Sequence, residues 1–222
     1  FLFADKDWGW IYGGGANDYL MGADVDYSNW ANGNHKFNQV VVDEMKAWGQ
    51  WITEDIGFDG FRIDAIKHVD NHFINEWIDY MQDNTSKDLF FVGESWITNT
   101  GSLQGYIDSV AERNTNNDIS SLRVFDFPLR SKFTAMRDGN GSFNMADLSG
   151  AGLVNSNASN QAVTFVDNHD TVRSQYGGAP IGEYAEQAYA YILMQPETPT
   201  IFWKDYYHKG MKVALNKLIK AR

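Results

Sequence analysis

Three carboxylic acids in this sequence each follow or close a short apolar run, and that placement is where chemistry is expected. Asp64 follows FDGFRI, Glu94 follows LFFVG, and Asp170 closes FVDNHD. Short runs rich in aromatic and β-branched residues predict strands. In barrel enzymes built from parallel strands and helices, active sites lie at the carboxyl ends of the strands. The sequence therefore predicts that these three acids are catalytic.

The stretch around Asp64 has the strongest strand pattern. Arg62 and Asp64 stand two residues apart, so in a strand they share one face. Phe61 and Ile63 share the opposite, apolar face. This pattern predicts a strand that is covered by helices on its apolar side and directs its ionic side toward a barrel interior. A purely structural ion pair fits this stretch alone equally well, and the other two acids favour catalysis.

Three motifs of the chain, GFDGFRIDAIKH, FVGES and FVDNHD, resemble three conserved motifs of the α-amylase family, glycoside hydrolase family 13. The similarity runs from about Asp7 to the C-terminus and is closest to the liquefying bacterial α-amylases. It implies an α/β fold of the (β/α)8 TIM-barrel type, represented by about strands four to eight. The family's first conserved motif has no counterpart here, so the chain is expected to be a partial catalytic domain.

The resemblance also implies a division into two parts. Residues 1–38 match the end of a small calcium-binding domain that protrudes from the family's barrel, and they are predicted to be largely irregular. Residues 39–222 match the second half of the barrel. Lys204 stands where the family more often has a small residue, which alters the adjacent subsite.

The implied activity is retaining endo-hydrolysis of α-1,4-glucosidic bonds in starch and related α-glucans. Retention takes one nucleophilic carboxylate and one acid/base about 5 to 5.5 Å away. Asp64 is the expected nucleophile, kept ionised by Arg62. Glu94 is the expected proton donor, because flanking apolar residues would raise its pKa. Asp170 is expected to stabilise the transition state.

The family's substrate contacts map onto residues beside these acids. The matching positions are Lys67 and His68, on the leaving-group side of the glucan. Three further substrate contacts are expected, namely Arg62, Trp96 for stacking on a sugar ring, and His169 as a hydroxyl partner.

The acid-rich first segment indicates a metal site. Calcium prefers six to eight oxygen ligands, which carboxylates and backbone carbonyls supply. A solvated acidic loop is the ordinary reading of such a run. The resemblance favours Ca²⁺, with Na⁺ as a possible second ion, bound by Asp7, Asp18, Asp24, Asp26 and the backbone carbonyl of His68.

Composition narrows the classes of partner. The 222 residues carry a formal net charge of −11, which argues against nucleic acid, since nucleic-acid recognition needs a basic surface. No apolar run is long enough to span a membrane. Aromatics make up 15% of the chain, which suits a neutral α-glucan. Secretion is expected from the family resemblance alone.

The coarse pattern predicts alternating strands and helices. Strands are expected to begin near residues 58, 89, 122, 162 and 199, and helices are expected over 40–56, 71–81, 103–112, 130–138, 184–194 and 211–222. The acids Asp59, Asp126 and Asp167 match no catalytic motif, so they are predicted to be structural.

Other functions stay open on the residues alone. An exo-acting maltooligosaccharide-forming amylase or an α-glucosidase would carry the same acids. A non-catalytic glucan-binding module would keep the aromatic residues but could lose the acids, and all three are present.

Five strands cannot close an eight-stranded barrel, and unpaired strand edges invite association. The 222-residue chain expressed by itself is therefore expected to self-associate and to hydrolyse starch weakly or not at all. Gel filtration with a starch–iodine assay checks this. A stable monomer with full amylase activity would contradict it.

Overall fold

The structure is a computed structural model, and it describes residues 25–31, 34–111, 122–173 and 178–222. The chain divides into two compact units, which are described separately. The first comprises Phe1–Ile97 and Gly101–Arg123, and the second comprises Thr98–Thr100 and Val124–Arg222. Among the described residues no helix is long and apolar enough to cross a membrane.

The first unit begins with an antiparallel hairpin and continues as alternating helices and parallel strands. Its elements are β1 (Ser28–Ala31), β2 (Asn34–Phe37), α1 (Gln39–Gln50), β3 (Gly60–Ile63), α2 (Asn71–Asn84), β4 (Phe90–Gly93) and α3 (Thr100–Ala111). Strands β3 and β4 pair in parallel, with Ile63 opposite Gly93. Their carboxyl ends therefore lie side by side.

The second unit holds a run of parallel strands with helices between them. Its elements are β5 (Leu122–Phe125, of which the last two residues belong here), α4 (Phe127–Asp138), β6 (Ala162–Phe165), α5 (Ala185–Leu193), β7 (Thr198–Thr200), α6 (Trp203–Tyr207) and α7 (Lys212–Ala221). Strand β6 pairs in parallel with β5 on one side and β7 on the other.

The predicted alternation of strands and helices is confirmed in the described residues. Helix α2 buries five apolar residues at helical spacing, which are Phe73, Ile74, Trp77, Ile78 and Met81. The side chain of Asp70 accepts a hydrogen bond from the backbone N–H of Phe73 at 2.9 Å, which caps the helix.

The buried face of α1 leaves two large side chains partly in solvent. The helical spacing of Trp48 and Trp51 fits one apolar face, yet they are 45% and 49% exposed. The helix instead packs through Gly49, where an added Cβ would lie 2.6 Å from the Met81 sulfur. Trp48 stays beside this contact, with its ring centroid 6.4 Å from that of Trp77 on α2 and 5.8 Å from that of Phe61 on β3. Helix α1 then continues as a π-helical turn, Trp51–Asp55.

Two other boundaries were predicted wrongly. The β1–β2 hairpin lies where largely irregular chain was expected. The sequence between its strands is Asn32-Gly33, a pair typical of hairpin turns. Helix α4 begins three residues before the prediction, because Asp126 accepts from the N–H of Leu129 at 2.9 Å and caps it. Pro128 fits the first turn of a helix, where no hydrogen bond is lost.

The amino ends of β3 and β4 are tied by a lysine clasp. Lys87 Nζ donates to the carbonyls of Gly57 and Phe58 at 2.8 and 3.1 Å, and it contacts the Asp59 carboxylate at 3.0 Å. Glu54 adds a second tie by accepting from the backbone N–H of Ser86 at 2.6 Å. These contacts fix the end of the strand pair opposite to Asp64 and Glu94.

Candidate active site

The end of β3 places Asp64 at the surface. Arg62 lies on the same strand, and its Nη1 donates a hydrogen bond to Asp64 Oδ1 at 2.6 Å. The Asp64 side chain keeps 71% of its surface exposed. The predicted same-face pairing of these two side chains is therefore present, and the carboxylate is accessible to a ligand.

The end of β4 places Glu94 beside the same arginine, but in a buried position. Its backbone N–H donates to the carbonyl of Ile63 at 2.8 Å, which extends the β3–β4 pairing by one residue. Its side chain is only 9% exposed, and Oε1 lies 3.1 Å from Arg62 Nη2. This is an ion-pair contact without hydrogen-bond geometry, since Oε1 has no hydrogen-bond partner.

One guanidinium thus contacts both predicted catalytic acids. Nη1 faces the exposed carboxylate of Asp64 and Nη2 faces the buried carboxyl of Glu94. Because the guanidinium is a rigid plane, it presents its two terminal nitrogens, and its positive charge, to both acids at once. No other residue type offers two charged donors in that geometry from one side chain.

The pKa of Glu94 is raised above the ordinary value of a glutamate. Burial is the largest cause, because it penalises the charged form. The Arg62 cation lowers the pKa, and the neighbouring Asp64 carboxylate raises it. The pair is therefore asymmetric, with a buried group that favours its protonated form beside an exposed acid held by an arginine. A proton donor and a nucleophile need this difference.

The predicted substrate residues of the first unit follow the two acids. Lys67 and His68 lie in a short 3-10 turn, Ile66–His68, just after Asp64, and both are partly buried. Trp96 follows Glu94 by two residues and is 38% exposed. Its placement leaves part of the indole accessible for stacking on a ligand.

In the second unit the structure brings Asp170 and His169 together. His169 Nε2 lies 3.1 Å from one carboxylate oxygen of Asp170, and Arg173 Nη1 lies 3.6 Å from the other. Sequence reasoning missed Arg173, although its spacing of three residues from Asp170 was a local signal. The side chain of Asn168 accepts from the backbone N–H of Asp170 at 3.0 Å and orders this turn.

The three acids predicted to be structural all have structural partners. Asp59 pairs with Lys87, and Asp126 caps α4 while accepting from the N–H of Val154 at 2.9 Å. Asp167 is buried, pairs with Arg130 at 3.0 Å and accepts from the N–H of Ile181 at 3.0 Å. Burial raises the pKa of Asp126 and of Asp167, and their hydrogen bonds work in the opposite direction.

Most of the predicted metal ligands lie outside the described residues, namely Asp7, Asp18 and Asp24. Asp26 is described, and its Oδ2 accepts from Asn38 Nδ2 at 3.2 Å. The described ranges contain no group of three or more metal-binding side chains. The whole predicted set offers only oxygen ligands, and this chemistry fits calcium better than zinc.

The raised pKa of Glu94 predicts a pH dependence of stability. As pH rises above the ordinary glutamate value of 4.5, the unfolded state loses this proton before the folded state does. The contribution of Glu94 to the free energy of unfolding is therefore fully present below pH 4.5, and it is lost as pH rises through the raised pKa of the folded state. Glu94→Gln should therefore become progressively more stable than the wild type from about pH 4.5 upward, as measured by urea unfolding at several pH values.

The matched control is Glu44→Gln, which alters an exposed glutamate on α1. Its free energy of unfolding should follow that of the wild type across the same pH range. Parallel curves for Glu94→Gln and the wild type would show that burial does not perturb Glu94.

Comparison with known proteins shows the family of the chain. The family model for the alpha amylase catalytic domain matches residues 3–208. An α-amylase from Bacillus licheniformis is 34% identical over 100% of this chain and 42% of its own length. A glucan 1,4-alpha-maltohexaosidase from Bacillus sp. (strain 707) is 34% identical over 98% of this chain and 40% of its own length. A cytoplasmic alpha-amylase from Escherichia coli (strain K12) is 35% identical over 86% of this chain and 35% of its own length.

The chain therefore spans less than half the length of these curated relatives. A solved structure of a cyclic alpha-maltosyl-(1→6)-maltose hydrolase from Arthrobacter globiformis, in complex with maltose, covers 98% of this chain and 52% of its own chain. Its TM-score is 0.60 at 15% identity, and this likeness confirms the predicted fold class. By its strand-end acids, and by a family match that extends over most of its length, the chain belongs to the α-amylase family, in the catalytic domain.

Proposed function

We propose that this chain supplies the acids of a retaining α-amylase, which hydrolyses α-1,4-glucosidic bonds within starch and related α-glucans. The observation that carries the proposal is the single guanidinium of Arg62, in contact with exposed Asp64 and buried Glu94 at adjacent strand ends. Family membership supports the reaction class, and the asymmetric burial of the two acids supports their separate roles.

The proposed reaction has two steps. The Asp64 carboxylate attacks the anomeric carbon and forms a covalent glycosyl ester, while protonated Glu94 gives its proton to the departing glycosidic oxygen. Glu94, now ionised beside Arg62, then takes a proton from water. That water attacks the anomeric carbon, releases Asp64 and leaves Glu94 protonated again. Burial raises the pKa of Glu94 and so favours the protonated form that the first step needs.

The remaining residues are proposed to hold the sugar. Trp96 would stack on a sugar ring through its exposed indole, and Lys67 and His68 would contact the leaving-group side of the glucan. Asp170 would bind sugar hydroxyls and stabilise positive charge in the transition state, with His169 as its neighbour. These roles rest on the family resemblance together with the exposure of the side chains.

In an active enzyme that carries this chain, Glu94→Gln should lower kcat by about 10²- to 10⁴-fold, because the proton donor is lost. Asp64→Asn should remove nearly all turnover, because the covalent intermediate cannot form. Reducing-sugar assays on soluble starch measure both effects. Asp59→Asn is the matched control, since it removes an acid near the start of β3 and should leave kcat unchanged.

The covalent step can be tested even where turnover is slow. A 5-fluoro-α-glycosyl fluoride should label the wild-type chain, and peptide mass spectrometry should place the label on Asp64. Labelling of another residue, or substantial activity of Asp64→Asn, would refute the nucleophile assignment.

The similarity to a maltohexaosidase favours one alternative, exo-acting release of short oligosaccharides. A maltooligosaccharide blocked at its non-reducing end separates the two modes. An endo-acting enzyme cleaves it to a ladder of products, whereas an exo-acting enzyme releases nothing from it. The α-glucosidase alternative predicts glucose as the main product, and a glucan-binding module predicts binding without turnover.

We further propose that Asp7, Asp18, Asp24, Asp26 and the His68 carbonyl bind calcium, with sodium as a second ion. A metal that binds only the folded state stabilises it, by about 2.7 kcal/mol when free metal is a hundred times its Kd. Calcium should therefore raise the Tm of the chelator-treated chain in a scanning calorimeter. Asp26→Asn should reduce the increase, and Asp83→Asn, an exposed acid on α2, should not. An unchanged Tm after chelation would contradict the site.

Secretion is proposed on the family resemblance, against the alternative represented by the relative named as a cytoplasmic α-amylase. Amylase assays of culture fluid and of cell lysate from the source organism decide between them.

A further inference from the structure

The turn that follows Asp64 has an unusual backbone. Ala65 follows Asp64 and has φ 44° and ψ 39°, in the left-handed region. A side chain with a Cβ is disfavoured there, so surrounding contacts must hold the turn in place. This turn sets the direction in which the chain leaves Asp64. What holds it therefore bears on where the Asp64 carboxylate lies relative to Glu94.

Two contacts hold the turn against β4. The backbone N–H of Ile66 donates to the carbonyl of Glu94 at 3.1 Å, which joins the turn directly to the second acid. The Ile66 side chain is fully buried and lies on Gly93, where an added Cβ would meet its Cδ1 at 2.7 Å. Only glycine at position 93 leaves room for this contact.

A third contact comes from helix α3. Tyr106 is fully buried, and its hydroxyl donates to the carbonyl of Ile66 at 3.1 Å, forty residues away in sequence. Helix α3 is itself anchored to α2, because Asn75 Nδ2 donates to the carbonyl of Val110 at 2.7 Å and Asn71 Nδ2 donates to the Ser109 hydroxyl at 3.0 Å. The Tyr106 hydroxyl thus links a fixed helix to the strained turn.

We propose that Tyr106 is a positioning residue for the catalytic pair. Its hydroxyl holds Ile66, and Ile66 fixes both the Ala65 turn after Asp64 and the backbone of Glu94. Tyr106 does not touch substrate and acts only through this turn. The inference rests on the proposed roles of Asp64 and Glu94, and nothing in the motifs that carry the family resemblance includes Tyr106.

The test is Tyr106→Phe, which removes the hydroxyl and keeps the ring. The 222-residue chain is labelled with glutamate carrying ¹³C at the carboxyl carbon, and the Glu94 signal is identified by its absence in Glu94→Gln. Arg62 and Asp64 are the charged groups that act on Glu94. Loosening the turn should admit water to Glu94, so its pKa should fall toward the ordinary value. In an active enzyme kcat should fall about tenfold with little change in KM, because geometry rather than binding is lost.

Tyr191→Phe is the matched control. Its hydroxyl also donates to a backbone carbonyl, that of Leu148 at 2.7 Å, in a part of the second unit that holds none of the predicted site residues. The free energy of unfolding of Tyr191→Phe should fall, because one hydrogen bond is lost. The pKa of Glu94 in this variant should stay as in the wild type. An equal shift in both variants would overturn the proposal, because it would then report general loosening.

An unmoved Glu94 titration in folded Tyr106→Phe would also overturn the proposal. Should that variant fail to fold, Gly93→Ala places a methyl group against the Ile66 side chain and should move the same titration. An unmoved titration there would overturn the proposed role of the Ile66 turn, on which the role of Tyr106 depends. The NMR result is independent of activity. If the titration moves as expected but Glu94→Gln leaves kcat unchanged, the positioning inference stands and the proposed function fails.

Discussion

The arrangement of the site in the first unit depends on the shared contact of one arginine with two acids. Arg62 sits on β3, pairs with Asp64 at the end of its own strand, and reaches Glu94 on the neighbouring strand. Burying a carboxylate costs free energy unless a cation or hydrogen bonds compensate it. Arg62 partly offsets that cost for Glu94, so the acid can be buried enough to favour its proton and still ionise during a reaction cycle.

The parallel pairing of β3 and β4 makes this contact possible. Ile63 lies opposite Gly93, so the next residue of each strand falls at the same level, and these residues are the two acids. A shift of one residue in this register would send one acid to the opposite face. The contacts that fix the register are therefore as important to the proposed chemistry as the acids are.

Local sequence patterns predicted strands β3 to β7 and most helices, because each of these features is encoded in a few consecutive residues. Patterns failed where a distant partner decides the outcome. Trp48 and Trp51 fit an apolar helix face, yet they are 45% and 49% exposed, while Gly49 makes the close contact with Met81 on α2. The link from Tyr106 to Ile66 spans forty residues and leaves no periodic signal. The capping residue of α4 also has a distant partner, because Asp126 accepts from the N–H of Val154 as well as from that of Leu129.

The lysine clasp has a consequence for how this protein can change. Lys87 ties the segment before β3 to the loop before β4, at the end of the strands away from Asp64 and Glu94. Contacts that resist strand separation and groups that meet the ligand thus occupy opposite ends of the same two strands. Substitutions that alter specificity can accumulate in the loops after β3 and β4 without weakening the clasp. In this strand pair, the residues that can change during evolution lie at the opposite end from the contacts that hold the strands together.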